Sequence, residues 1–356
     1  MSSSVDNEID ALRIRLAQLL DPSAYPSLSE ARRVQEEYGT SVPLPARIER
    51  TSVALGGVPT ERLSPDDTTG QRALLFLHSG GYTSGTAADH VALTAHLALA
   101  ADAVGYVPEY RRAPEYRFPA AVEDAMDSYR ALLEGGFSAE EIVVAGDSAG
   151  GGMAVAVAQQ AAARGLRKPA GIYVVSPWVD LTVTNASYNL RGPHDPMLSR
   201  TALADMAHAY LNGSDPRNPL ASPVFGDFSG FPPLLIHVGA DEVLLDDANA
   251  LAAEASRTGT DVTLRVWARM IHMFPWFHTH LRAGRTAIAQ AGAWMVDVMA
   301  GQDSCTRQQP LMPIGCSKPE TRGAASTPQA RQPPEGTRRN YEDDSVRNTQ
   351  RWWRFR

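Results

Sequence analysis

Ile142-Val143-Val144-Ala145-Gly146-Asp147-Ser148-Ala149-Gly150-Gly151-Gly152-Met153-Ala154-Val155 is the stretch on which the fold is decided. It opens with a short, unbroken apolar run, the signature of a strand buried on both faces. A G-x-S-x-G turn follows, and then an alanine-rich stretch to about residue 164 with helical character. Strand, glycine turn and helix in that order define a nucleophile elbow. The glycines let the chain turn sharply and let helix and strand approach closely. Ser148 then projects over the sheet edge, close to the partial positive charge of a helix N-terminus. The competing reading is a glycine-rich turn with a capping serine.

Outward from this stretch, strand and helix signals alternate. Strands are expected at Arg47–Leu55, Val58–Leu63, Arg72–Leu77, Ala103–Pro108, Glu141–Gly146, Ala170–Ser176, Pro233–Gly239 and Asp261–Trp267. Helices are expected at 88–101, 119–134, 149–164, 246–258 and 281–299. This alternation predicts an α/β fold with an eight-stranded, mostly parallel sheet and helices on both faces. Catalytic groups in such folds lie just beyond the C-terminal ends of strands. Two regions interrupt the alternation. Residues 5–40 read as two helices, the first with Ile9, Leu12, Leu16 and Leu19 on one face, the second opening on a capping box from Ser27 to Glu30. Residues 183–215 form an insertion with a helix from Ser199 to Leu211. The two regions are expected to pack as a lid over the C-terminal edge of the sheet.

A serine hydroxyl needs a base to remove its proton and a carboxylate to orient that base, following in the order Ser, Asp or Glu, His. Asp241 stands just past the strand ending at Gly239, and His272 stands five residues past Trp267. Glu242, Asp246 and Asp247 compete for the acid position, the last two reading as helix-start residues. His237 reads as a core histidine inside a strand. His278 and His280 lack a third ligand at a sensible spacing, so no metal is expected. After the strand Leu74–Leu77 comes His78-Ser79-Gly80-Gly81-Tyr82. The Gly80, Gly81 and Ala149 N–H groups are expected to form an oxyanion hole. His78 reads as orienting this loop rather than as the base.

Composition excludes several classes. The chain has 356 residues and a formal charge of -7, so no overall basic field points to nucleic acid. No run of 18 apolar residues suggests a membrane span. The first residues lack the basic and apolar regions of a secretory signal, so a cytoplasmic location is expected. Cys305 and Cys316 are the only cysteines, which leaves residues 1–300 without thiol chemistry or disulfides. From Gln302 onward the chain holds ten basic and six acidic residues, is rich in Gln, Pro, Ser, Thr and Gly, and ends in Trp352-Trp353-Arg354-Phe355-Arg356. This tail is expected to be disordered.

Several motifs in one order resemble the hormone-sensitive-lipase family of α/β-hydrolases, the bacterial family IV esterases. They are His78-Ser79-Gly80-Gly81; Tyr110-Arg111-Arg112-Ala113-Pro114-Glu115 with Phe118-Pro119-Ala120-Ala121; Gly146–Gly151; Ser176-Pro177-Trp178-Val179-Asp180-Leu181; Asp195-Pro196-Met197-Leu198; and His272-Met273-Phe274. The resemblance covers about residues 5–300. It implies a triad of Ser148, Asp241 and His272. It also implies N-terminal cap helices at 1–45, a hydrolase core at 46–182 and 216–300, and a cap insertion at 183–215, with the tail at 301–356 left over. The implied activity is hydrolysis of short- to medium-chain carboxylic esters through an acyl-enzyme, without a cofactor. Amide, lactone or carbamate hydrolysis by the same groups stays open, as do a non-catalytic receptor on this fold and an interaction role for the tail. A homodimer is compatible with the resemblance and is not readable from the residues. Tyr25, Tyr82, Trp178 and Tyr188 are candidate pocket aromatics. Two departures stand out: Ser79 replaces a family glycine, and Asp241-Glu242-Val243 replaces Asp-Pro-Leu.

Overall fold

The strands are β1 (Ile48–Leu55), β2 (Val58–Pro65), β3 (Ala73–Leu77), β4 (Val104–Pro108), β5 (Ile142–Asp147), β6 (Gly171–Val175), β7 (Leu234–Gly239) and β8 (Val262–Trp267). The helices are α1 (Ser4–Leu19), α2 (Leu28–Thr40), α3 (Ala87–Ala101), α4 (Ala120–Glu134), α5 (Ala149–Ala163), α6 (Ser187–Leu190), α7 (Arg200–Leu211), α8 (Leu245–Arg257) and α9 (Arg282–Met299). All eight expected strands form, with ends displaced by two residues at most. This is a computed structural model, and it describes residues 4–19 and 27–301. Those residues belong to one compact unit; the tail expected to be disordered lies outside the described residues, as does Tyr25.

One sheet runs in the order β1-β2-β4-β3-β5-β6-β7-β8. β2 pairs antiparallel with both β1 and β4, and every later pairing is parallel. β3 through β7 are buried at every position, because helices cover both faces. α4, α5 and α8 pack on one face through Met126, Tyr129, Met153 and Leu251. α3 and α9 cover the other through Val91, Leu97, Ile288 and Met295, and α1 joins them with Ile9, Leu12 and Leu16. The 3.6-residue spacing of these three side chains thus gives one buried face; the side chain of Leu19, read onto the same face, lies outside the description. β8 closes the sheet as a half-buried edge, with the Arg265 guanidinium 4.2 Å from the centre of the Trp267 ring.

The capping box at α2 forms only in part. Ser27 Oγ accepts the Glu30 N–H at 3.3 Å, but the Glu30 carboxylate turns to Arg33 instead of back to the cap. α7 starts on Ser199, whose hydroxyl accepts from Ala202 N at 3.2 Å.

The turn between β5 and α5 depends on missing side chains. A Cβ at Gly150 would lie 1.9 Å from the Leu77 carbonyl oxygen and 2.6 Å from that of His78. α5 therefore sits directly on the end of β3. Gly150→Ala is expected to cost about 3 kcal/mol, because rigid backbone rather than a flexible side chain must yield. A urea midpoint at the parental value would contradict this.

Candidate active site

The C-terminal edge of the sheet gathers the residues singled out by their motifs. Ser148 follows β5 with φ of 53°, in the left-handed region that β5–turn–helix geometry imposes on it. Its N–H donates to Val175 O at 3.0 Å, and its carbonyl accepts from Trp178 N at 2.9 Å. The elbow is thus tied to the end of β6 through the serine N–H and to the loop after β6 through its carbonyl. Ala149 opens α5, so its N–H belongs to the unpaired first turn of that helix.

The Gly80-Gly81 loop follows β3. Gly80 has φ of 121° and Gly81 has φ of 59°, and a Cβ on Gly80 would strike Ser84 O at 2.0 Å. His78 is buried beneath this loop. Its Nδ1 lies 2.8 Å from Ser79 O, and its ring stacks on Tyr110 at 3.9 Å and 11°. The Tyr110 hydroxyl donates to His78 O at 2.8 Å. Burial pushes the His78 imidazole well below its ordinary pKa, and the neighbouring His90 adds to that. The ring is fully buried, with Tyr110 stacked on one face and Nδ1 against the Ser79 carbonyl.

His272 is buried beyond β8. Its Nδ1 lies 3.6 Å from Glu242 Oε1. Burial alone would lower its pKa. The Glu242 carboxylate, with the charges of Asp195 and Asp147, outweighs burial and raises it. Glu242 is itself fully buried, and its Oε2 accepts from Ser176 Oγ at 2.8 Å and from Gly239 N at 2.9 Å.

Asp241, expected beside His272, lies elsewhere. Its Oδ2 accepts from Arg13 Nη2 at 2.8 Å, and its side chain is about a quarter exposed. The reason is local and physical. The chain beyond β7 stays bonded to the end of β8 and the segment after it, through Ala240 N to Trp267 O and Asp241 N to Met270 O, so neighbouring side chains leave in different directions. The inward direction falls to Glu242. Arg13 of α1 then occupies the outward carboxylate, and also donates to His194 O at 2.6 Å and Arg269 O at 3.2 Å. The Glu242-Val243 departure from Asp-Pro-Leu was the available signal.

Other residues gain roles that their motifs did not specify. Ser176 donates to Glu242 and accepts from Met273 N at 3.0 Å, bridging the acid and histidine loops. Asp195 accepts from Val243 N at 3.0 Å and from Met197 N at 2.8 Å. Asp247 is a helix-start residue as expected, yet it also accepts from Val179 N, Asp180 N, Asn185 Nδ2 and the Tyr188 hydroxyl. Burial pushes its carboxyl up to about 7. Tyr188, bonded to Asp247, and Trp178, whose Nε1 donates to Asp180 O at 3.2 Å, are both buried. Tyr82 stacks on Tyr210 of α7 at 3.9 Å. His237 lies in the core, with burial pushing its pKa down to about 3. Among the described residues, no group of three His, Cys, Asp or Glu side chains is placed to hold a metal ion, and no helix is long and apolar enough to cross a membrane.

This sheet with its elbow is the framework of an α/β-hydrolase, and the comparisons agree. The family described as having the alpha/beta hydrolase fold matches residues 74–276. An acetyl-hydrolase of Streptomyces hygroscopicus is 44% identical over 263 residues, which is 74% of this chain and 86% of that one. An esterase of Acinetobacter venetianus is 31% identical over 238 residues, covering 67% of this chain and 78% of that one. A crystal structure of an esterase from the bacterial hormone-sensitive lipase family superposes with a TM-score of 0.80 at 36% identity, covering 84% of this chain and 100% of that one. The chain belongs to the α/β-hydrolase family, in its hormone-sensitive-lipase branch. It is a carboxylic ester hydrolase.

Proposed function

We propose that Ser148 is the nucleophile, His272 its base and Glu242 the orienting acid, and that the Gly80, Gly81 and Ala149 N–H groups receive the oxyanion. The observation that carries the acid assignment is the 3.6 Å approach of Glu242 Oε1 to the buried His272 Nδ1, while Asp241 is engaged by Arg13. His272 removes the Ser148 proton as Oγ attacks the ester carbonyl carbon, and the carbonyl π pair moves onto oxygen. That oxyanion is stabilised by N–H groups already in place. Collapse breaks the bond to the alkoxy group, which leaves with the proton held by His272. Water then attacks the acyl-enzyme by the same route, releasing the acid and restoring Ser148. Glu242 favours the His272 tautomer with its proton on Nδ1 and stabilises the ring when it becomes charged.

The preferred substrates are esters of short acyl chains, acetyl foremost, in keeping with the acetyl-hydrolase relative and with an ethyl acetate hydrolase of Pseudomonas putida that is 33% identical over 209 residues. A series of p-nitrophenyl esters is expected to give its highest kcat/KM at two to four carbons, as order-of-magnitude guidance from pocket discrimination per methylene. Rapid mixing with the acetate is expected to give a burst of one p-nitrophenol per chain if deacylation is slower than acylation. A maximum on long-chain emulsified triglyceride would reject the chain-length reading.

A further inference from the structure

Beneath the active site, a side chain that takes no part in this scheme joins the oxyanion loop to the elbow. His90, in the first turn of α3, is fully buried. Its Nδ1 bonds Asp89 Oδ1, and its Nε2 lies 2.9 Å from Ser79 Oγ and 3.3 Å from Asp147 Oδ2. Ser79 immediately precedes Gly80, and Asp147 immediately precedes Ser148. Asp147 is itself fully buried, and beyond this 3.3 Å approach of His90 neither of its carboxylate oxygens has a hydrogen-bond partner. The imidazole is therefore its nearest compensating charge.

The surroundings hold this group still. The His90 ring lies 5.8 Å from Trp276 at 19°, and Trp276 Nε1 donates to Asp89 O at 3.1 Å. α2 backs onto Asp89 so closely that a Cβ on Gly39 would lie 2.3 Å from Asp89 Cβ. Two buried carboxylates flank one imidazole, and a buried carboxylate without a counter-charge is costly. Their charges outweigh burial and raise the His90 pKa well above its ordinary value. Besides Asp89 on α3 and Asp147 on β5, the titratable group facing His90 is the His78 imidazole of the oxyanion loop, which burial keeps neutral. Asp89, His90 and Ser79 repeat the residue types of a catalytic triad. Ser79 is only 1% exposed, however, so no substrate reaches it.

We propose that His90 is a positioning residue: bonded to Ser79 and paired with Asp147, it fixes the Gly80 and Gly81 N–H groups relative to Ser148. The hydroxyl of the serine that replaces a family glycine at position 79 supplies the shorter loop-side contact, at 2.9 Å, beside the Ser79 N–H that donates to the same Nε2 at 3.4 Å. This proposal rests on the assignment of Ser148 and the oxyanion donors made above. Misplacement of those donors weakens stabilisation of the tetrahedral intermediate and leaves ester binding largely intact. Asp147 also raises the pKa of His272, so the cluster influences the base as well as the loop.

The test compares Ser79→Ala, Asp147→Asn and His90→Gln, each with a thermal melt, kcat and KM for p-nitrophenyl acetate, and a pH profile. Ser79→Ala is expected to lower kcat about 10-fold with KM within about twofold, as for a displacement of well under 1 Å. His90→Gln is expected to lose more. Asp147→Asn removes a charge that raises the His272 pKa, so the acid limb of kcat/KM should move toward lower pH. Ser79→Ala, which removes no charge, should leave that limb in place. Folded Ser79→Ala with kcat within twofold of the parent overturns the proposal, and an unmoved limb in folded Asp147→Asn overturns its electrostatic part. These two variants decide the matter whether or not His90→Gln folds. Retention of parental activity in Ser148→Ala would instead strike at the triad assignment itself.

Discussion

Glu242→Gln is expected to lower kcat about 10³- to 10⁴-fold, as loss of the orienting carboxylate does in serine hydrolases generally. The geometry gives the reason for expecting so large a loss from glutamine, which has nearly the same shape. Ser176 Oγ and Gly239 N both donate to Oε2, so the glutamine carbonyl oxygen is held at that position. Its amide nitrogen then takes the place of Oε1, 3.6 Å from His272 Nδ1. A donor facing Nδ1 favours the tautomer with its proton on Nε2. That tautomer cannot accept a proton from Ser148. The same substitution removes the largest influence raising the His272 pKa, so any residual activity should persist to lower pH than in the parent. Asp241→Asn should instead stay within about threefold of parental kcat, since a partly exposed pair with Arg13 contributes at most about 1 kcal/mol. Steady-state kinetics on the two variants decide between the adjacent carboxylates. A larger loss in Asp241→Asn would return the acid to that position.

Ser148→Ala is expected to lower kcat about 10⁵- to 10⁶-fold and to abolish covalent labelling by a fluorophosphonate. The loss should be chemical and not structural. Alanine meets the same steric demand at φ of 53° as serine, and the Ser148 backbone bonds to Val175 O and Trp178 N do not involve the hydroxyl. The melting temperature should therefore stay close to that of the parent. Activity within tenfold of the parent would exclude Ser148 as the nucleophile.

The fold was legible because its strongest signals are local. Leu74-Leu75-Phe76-Leu77, Ile142-Val143-Val144 and Leu234-Leu235-Ile236 are long enough and apolar enough to read as doubly covered strands, and each became one. The elbow was legible for the same reason, since its glycines and serine are contiguous. The acid was not. Asp241 and Glu242 are neighbours with the same chemistry, and which one turns inward depends on backbone pairing with residues 267–270 and on Arg13, 228 positions away. Ser176 and Asp195 sat in motifs that could be quoted, but their bonds to Glu242 and Val243 exist only after β6, β7 and the 183–215 insertion come together. His90 lay outside every quoted motif. Its meaning comes from Ser79 in the loop after β3 and Asp147 at the end of β5, which the sheet brings to it from two places.

The grip of Arg13 gives α1 a bearing on heat tolerance. One guanidinium holds the acid loop at Asp241, the approach to the histidine loop at Arg269 O and the insertion at His194 O, while Asp10 pairs with Arg269 beside it. α1 itself is fastened by three apolar side chains and a few surface ion pairs, far less than secures any central strand. Such a peripheral helix opens at a lower free-energy cost than the sheet. On warming, α1 is therefore expected to release these loops before the sheet melts, so activity should fall at a lower temperature than the far-UV circular-dichroism transition and return on cooling; coincident loss of activity and of the sheet would contradict this.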